Sequence, residues 1–414
     1  MVSEVVRARE TRWRSGNGSC SRVLVAAFGD AGHAFPAIAL ARALRRRGHE
    51  VVVDTWRRWR EAVEAEGLEF TAAEEYQTFP PPPPGSADGR SAAEAALALL
   101  PLLEEMRPDA VVSDILTAAP ALAAERAGVS MATLIPHVYP VSEPGMPFFS
   151  FGAQPPRTVI GRSLWRAARP VLVGGLRRGR EERNELRAAV GLPPLERFHG
   201  GISESLALVA TLPQLEYPRR WPTEVRVTGP MEFELPYEEV ELLEGEGPLV
   251  LVAPSTRHDP EGRLLRMALE GLADEPVRVL ATVNGHRPEA PLPAPPANAR
   301  VVDWVGYSQV MPAADLVVCH GGHGTVARAL AAGTPVLCCP AGGDMAENGA
   351  RVIWAGAGLM LPWRLTRPGA LRLAVRRALE DRSFTARADE IAAWARDHDG
   401  AERGAELVEE LARS

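Results

Sequence analysis

The sequence predicts an α/β protein built from two Rossmann-like domains, each with a parallel sheet, facing one another across a cleft. Three observations carry this. Short apolar runs alternate with amphipathic segments in both halves, the pattern of parallel strands joined by crossover helices. A chain of 414 residues exceeds what one hydrophobic core supports. Between the two series, Gly229 to Gly247 is acidic, contains proline and lacks apolar periodicity, so it reads as a linker.

The elements follow in order. In the first half, Arg22–Phe28 reads as a strand, Pro36–Arg46 as a helix with an Ala/Ile/Leu face, and His49–Asp54 as the second strand. Glu61–Gly67 gives a short helix, and Phe70 begins another extended segment. After the proline run Pro80–Pro84, Ser91–Met106 is expected to be helical, Ala110–Ser113 a strand and Pro120–Gly128 a helix. The second series has strands at Pro248–Ala253, Val277–Thr282, Ala299–Val302, Leu316–His320 and Val336–Cys339. Met1–Cys20 is polar and arginine-rich and reads as a disordered extension without the apolar core of a signal peptide.

Composition narrows the chemistry. A net charge of −7 argues against general nucleic-acid binding, which needs a basic face. No apolar run is long enough to span a bilayer, so stable membrane insertion is not expected and a cytoplasmic location is. The four cysteines form no CxxC pair, which favours buried thiols over a metal site or disulfides. All 46 basic residues are arginine. That removes a P-loop lysine and any Schiff-base lysine, leaving arginine, histidine and backbone amides to meet phosphate charge.

The segment that says most is Cys319-His320-Gly321-Gly322-His323-Gly324-Thr325. The apolar run Ala314–Cys319 reads as a buried strand, the glycines as a turn, and Thr325 as the opening of a helix that Gly333 stops. The first amides of a helix have no internal partner and sit at the positive end of its dipole, so a glycine turn there admits an anion. A plain tight βα turn has the same pattern. His320 and Thr325 add side-chain donors.

These residues carry a resemblance. Asp303-Trp304-Val305, the HGGHGT turn, Ala331-Ala332-Gly333-Thr334-Pro335 and Pro340-Ala341-Gly342-Gly343-Asp344-Met345-Ala346-Glu347-Asn348 stand in the order and spacing of the nucleotide-sugar-binding half of the family 1 glycosyltransferases. The chain is similar in particular to bacterial enzymes of the macrolide type that glycosylate antibiotics. The first half resembles the family through Gly32-His33-Ala34-Phe35-Pro36. The resemblance implies the GT-B arrangement, with residues 21–228 as an acceptor-binding domain, 229–247 as linker and 248–385 as the nucleotide-sugar domain. Residues 386–414 would be C-terminal helices able to pack back on the first domain.

It also implies roles. Trp304 would stack on the nucleobase and Val305 offer its backbone to the base edge; interdomain packing is the other reading of Trp304. Ser255 and Thr256 match hydroxyls that reach the diphosphate, together with Gly32, His320, Gly321, Gly322, Gly324 and Thr325. Asp344 and Met345 would face the sugar. His33 would take the proton of the acceptor hydroxyl, suited by an ordinary pKa near ~6.5, with Asp114 fixing its tautomer. A helix or turn cap is the other reading of both residues. Phe79, His137, Tyr139 and Phe148 lie in or beside loops and would line an apolar acceptor pocket. Attack on the anomeric carbon in one displacement would invert it. No DxD-like cluster stands near, so no metal and no cofactor beyond the nucleotide sugar is expected.

Departures from the family pattern sharpen the donor. Arg328 stands where the family often has a glutamate for ribose hydroxyls, and a guanidinium accepts no hydrogen bond. Met345 replaces a side-chain amide that reads a sugar hydroxyl. Both fit a dTDP-deoxyhexose, with a UDP-sugar as the alternative; for Arg328 a different ribose contact fits equally. The expected partners are that donor and a hydrophobic small-molecule acceptor, and a homodimer is left open. Three rivals remain: a nucleotide-sugar 2-epimerase, an inactive activator of another transferase, and a dinucleotide oxidoreductase using Gly29–Gly32 and Asp54.

Overall fold

The computed structural model describes residues 20–73, 91–196, 201–255 and 259–414. Phe79, the proline run, Thr256 and the arginine-rich first residues lie outside them.

The first domain is a seven-stranded parallel sheet. Its strands are β1 (Arg22–Ala26), β2 (Glu50–Thr55), β3 (Glu69–Ala72), β4 (Ala110–Asp114), β5 (Ser130–Ile135), β6 (Leu206–Val209) and β7 (Val225–Val227), in the spatial order β3-β2-β1-β4-β5-β6-β7. Helices α1 (Ala31–Arg46), α2 (Arg60–Ala65), α3 (Ala92–Met106), α4 (Ala118–Ala127) and α5 (Val159–Ala189) join them. Val23, Val25, Val51 and Val53 point to the α1 face while Leu24 and Val52 point to the α3/α4 face, so the sheet is buried on both sides and its strands read as continuous apolar runs.

The second domain has six parallel strands, β8 (Leu249–Ala253), β9 (Arg278–Thr282), β10 (Ala299–Val302), β11 (Leu316–Cys319), β12 (Val336–Cys338) and β13 (Gly358–Met360), in the order β10-β9-β8-β11-β12-β13. Its helices are α6 (Arg263–Gly271), α7 (Tyr307–Val310), α8 (His323–Ala331), α9 (Met345–Ala355), α10 (Pro368–Glu380), α11 (Arg382–Arg396) and α12 (Gly400–Ala412). The last of these crosses back. Gly404 of α12 lies against Leu40 of α1, and Arg46 and Arg47 of α1's end pair with Glu402 and Glu409. In both sheets the strand order reverses once, between β1 and β4 and between β8 and β11. The crevice beyond the strand ends at such a reversal is where open α/β sheets bind ligands.

Two expectations need correction. Helix α1 begins at Ala31, so His33 lies in its first turn and Pro36 inside the helix. The Asp30 carbonyl already accepts the amides of His33 and Ala34, and a proline this early denies a bond only to the carbonyl of Gly32. Helix α8 likewise starts at His323, with Gly322 as its N-cap, two residues before Thr325. The segment 229–247, between the two sheets, packs against both. Met231 and Phe233 are buried in the first domain's core, while Glu234 accepts the amide of Tyr307 at 2.5 Å and Tyr237 lies over Gly306 in the second.

A buried charge network also crosses the two domains. Arg351 of α9 is 3% exposed. It donates to Glu347 at 2.9 Å, to Glu216 at 3.2 Å and to the Leu215 carbonyl at 3.1 Å, with its guanidinium over the Tyr217 ring.

Candidate functional site

The first half of the site forms at the reversal between β1 and β4. Asp114 ends β4 and is 1% exposed; its Oδ2 lies 2.8 Å from His33 Nδ1, and its Oδ1 accepts the Leu116 amide at 2.8 Å. The residues are 81 apart in sequence and meet because β1 and β4 are neighbours. Burial works against the His33 imidazolium, but the charge and hydrogen bond of Asp114, helped by Asp344 and Asp30, outweigh it and hold the pKa above its ordinary value. A carboxylate on Nδ1 leaves Nε2 as the basic nitrogen.

Around this pair stand aromatic groups. The Phe28 ring meets His33 edge-on at 5.9 Å, and His137 lies at 6.2 Å, itself stacked on Phe149 at 5.4 Å. Burial, opposed by Asp344 and aided by the charge of His33, lowers the His137 pKa, so it stays neutral beside its neighbour. Phe149 belongs with the loop aromatics that the sequence places in an acceptor pocket, whereas Phe148 packs on Phe151 and Trp165. Tyr139 is placed differently from the expectation. It is 5% exposed and packed against Trp221 and Arg219, apart from the two histidines, because its ring fills the space beyond β5.

The second half forms at the reversal between β8 and β11. His320 Nδ1 lies 3.3 Å from the Ala253 carbonyl at the end of β8. Gly321 has φ +86°, and a Cβ on Gly322 would stand 2.3 Å from His320 Nε2, so this turn accepts glycine alone if the imidazole is to stay where it is. Beyond it the backbone opens: a Cβ on Gly324 would meet nothing within 4 Å. The amides at the start of α8 therefore border free space, the requirement for an anion there. His323, the first residue of that helix, has its pKa pushed down to about 4 by burial first, then by the neighbouring His137.

Gly32, Phe35 and Pro36 of α1 and Pro136 after β5 form one wall of an open cleft. Trp304, Val305, Tyr307, His320, Gly322, Gly324, Thr325 and Arg328 form the other. Trp304 is 37% exposed, an apolar surface presented to the cleft rather than packed between domains, while Val305 is buried with its side chain in the core. Asp344, half-buried, sits near enough across the cleft for its charge to act on His33 and His137.

The structure separates some sequence-expected contacts from the cleft. The Met345 side chain is 6% exposed beneath the turn, with its carbonyl where a Gly321 Cβ would fall, so it does not present the sugar-facing surface expected of it. Ser255, just after β8, is buried. Sequence reasoning missed Glu232 and Glu234. Both come from the segment read as linker and line the cleft beside Arg328, which bonds to the Phe233 carbonyl and reaches Glu234 at 3.5 Å. Their one sequence signal was the alternation Met231-Glu232-Phe233-Glu234, apolar side buried and acidic side turned to the cleft. Among the described residues no group of histidine, cysteine or acidic side chains could hold a metal ion, and no helix is long and apolar enough to cross a membrane.

Family models match both halves of the chain. Residues 267–411 match the family model described as Erythromycin biosynthesis protein CIII-like, C-terminal domain, and residues 23–131 match the Glycosyltransferase family 28 N-terminal domain. The chain is 31% identical to 4'-demethylrebeccamycin synthase of Lentzea aerocolonigenes, over 90% of this chain and 96% of that protein. It is 29% identical to O-mycaminosyltylonolide 6-deoxyallosyltransferase of Streptomyces fradiae, over 95% and 98%. Among solved structures, the glycosyltransferase VinC in complex with dTDP superposes with a TM-score of 0.65 at 21% identity, covering 95% of this chain and 99% of that one.

Proposed function

Because this chain belongs to the macrolide-type family 1 glycosyltransferases, with two parallel-sheet domains in the GT-B arrangement, we propose that it transfers a deoxyhexose from a dTDP-sugar to a hydroxyl of a hydrophobic natural product, with inversion. The observation that carries this reading is the His33–Asp114 contact in the first turn of α1, the same helix whose Gly32, Phe35 and Pro36 wall a cleft bordered on its other side by the open N-terminus of α8.

In this reading His33 Nε2 removes the acceptor proton as the oxygen attacks the anomeric carbon. Asp114 holds the tautomer and offsets the imidazolium that forms. The departing diphosphate gains charge at the amides of Gly324 and Thr325, where the helix dipole and His320 oppose it. Trp304 carries the base on its exposed face. Glu232 supplies carboxylate oxygens for hydroxyls of the donor, a task Arg328 cannot perform. Asp344 reaches the sugar from the second domain. The dTDP-deoxyhexose is supported by the nucleotide seen with VinC and by the 6-deoxyallosyl group in the Streptomyces fradiae relative's name.

Thermal shift with dTDP, UDP and GDP tests the donor class through ligand linkage. The largest stabilisation is expected from dTDP, and a response to UDP alone would overturn the donor assignment. Mass analysis of an aglycone panel with a dTDP-6-deoxyhexose then reads transfer directly.

Two predictions belong to this geometry. Trp304→Ala should weaken nucleotide binding by roughly 1–3 kcal/mol, the range seen when a base loses its aromatic platform. Equal affinity in the folded variant, measured by calorimetry, would return Trp304 to a packing role. The second concerns pH. His33 acts as base only when neutral, and its pKa lies above the ordinary 6.5. The acid limb of kcat/KM should therefore appear above that value, activity falling as pH drops through it. In Asp114→Asn the limb should move to lower pH, because the charge that raised the pKa is gone; an unmoved limb would assign it to another group.

A further inference from the structure

A second cavity opens at the carboxyl ends of β2 and β3, lined by Phe28, Trp56, Leu99, Leu102 and Pro120. One charged group lies in its wall. Asp54, near the end of β2, is 5% exposed, and among the described residues its carboxyl has no hydrogen-bond or ion-pair partner. Its main chain is spent on the sheet, paired with Ala26 on one side and Thr71 on the other. Burial alone pushes its pKa up to about 7. Every other acid buried to this degree described above has a partner: Asp114 has His33, and Glu216 and Glu347 share Arg351. A lone carboxylate in an apolar wall is a standing cost, since burying a charge is tolerated only when it is paired.

We propose that this cavity binds an apolar ligand group bearing a basic amine, with Asp54 as its counter-ion. The rings and leucines exclude water from the body of the group, and the carboxylate meets the ammonium at its inner end. A protonated amine suits the site better than a hydroxyl because it cancels the buried charge as well as donating a hydrogen bond. The cavity adjoins the reaction site through Phe28, whose ring touches both His33 and Trp56. The ligand group is therefore the end of the acceptor remote from the hydroxyl that His33 activates, an assignment that rests on the proposed transfer.

The test uses 1-naphthylmethylamine and 1-naphthalenemethanol as probes, titrated calorimetrically into the full chain at pH 8 without donor. The wild type should bind the amine about tenfold more tightly than the alcohol, the gap between charge-assisted and neutral hydrogen bonds. Asp54→Asn should bring the two within about threefold while leaving the dTDP thermal shift unchanged. Ala98→Trp, on the exposed side of α3 and in the cavity wall, should abolish binding of both probes without touching the carboxyl. Equal affinity of the wild type for amine and alcohol, or amine binding undiminished in Ala98→Trp, would overturn the site. Competition of the amine with the acceptor in a transfer assay supports its place in the acceptor site. Binding without competition would remove that place and leave the transfer reaction as proposed.

Discussion

Replacing His33 with alanine should lower turnover by about 10² to 10⁴, the range for a lost general base, while nucleotide affinity stays near that of the wild type. The split follows from where the groups sit. In the proposed arrangement the nucleotide is held by the second domain and Glu232, whereas His33 stands on α1 with Asp114 behind it. The substitution should also leave the fold intact, because His33 is partly accessible and its amide bond to Asp30 remains. Asp114→Asn should follow in the same direction, since an amide can hold the ring in the wrong tautomer and cannot offset its charge. Single-turnover measurements with saturating donor, beside dTDP titrations, separate the two quantities. Near-normal turnover in His33→Ala would remove the imidazole from the reaction, and a parallel loss of nucleotide affinity would show that it holds the donor instead.

A comparable loss, in stability rather than turnover, is expected at Arg351. Truncation to alanine would leave Glu216 and Glu347 buried at 8% and 1% exposure without their counter-charge. Breaking such a pair costs on the order of 3–5 kcal/mol, most of it the desolvation of the abandoned partners. Burial already raises the pKa of both acids against the pull of Arg351, and its removal raises them further. An acid whose folded pKa exceeds its unfolded value takes up protons on folding, so the variant's deficit should shrink as pH falls toward 5 and widen toward 8. Urea unfolding at the two pH values reads this. A deficit independent of pH would assign the loss to the packing of the guanidinium on Tyr217. Since Glu216 and Glu347 belong to different domains, the variant should also lose the coincidence of their unfolding transitions.

The alternation of elements, the two-domain division and the glycine turn at Gly321–Gly324 were legible because each is a local property. Apolar runs report strands buried on both faces, and Gly321 reports a backbone that other residues rarely adopt. His33 and Asp114 could each be named from their place after a strand. Their 2.8 Å contact could not, since it depends on β1 and β4 lying side by side. The C-terminal crossing contact of α12 with α1 follows from how the domains pack, not from periodicity alone.

Side-chain direction is where sequence and structure part. Met345 and Tyr139 carry suitable chemistry at suitable positions, yet the packing of α9 against Gly321 and of Tyr139 against Trp221 turns both away from the cleft. Glu232 and Asp54 show the reverse: an acid in a presumed linker becomes part of the cleft wall, and one at a strand end is left alone in an apolar cavity. The sequence by itself determined the fold class, the family and the residue types available to the reaction, because periodicity and glycine position are encoded within a few neighbouring residues. Only the tertiary structure decided which of those side chains meet, which are buried and which carboxyl lacks a partner, because burial and contact depend on residues tens to hundreds of positions away.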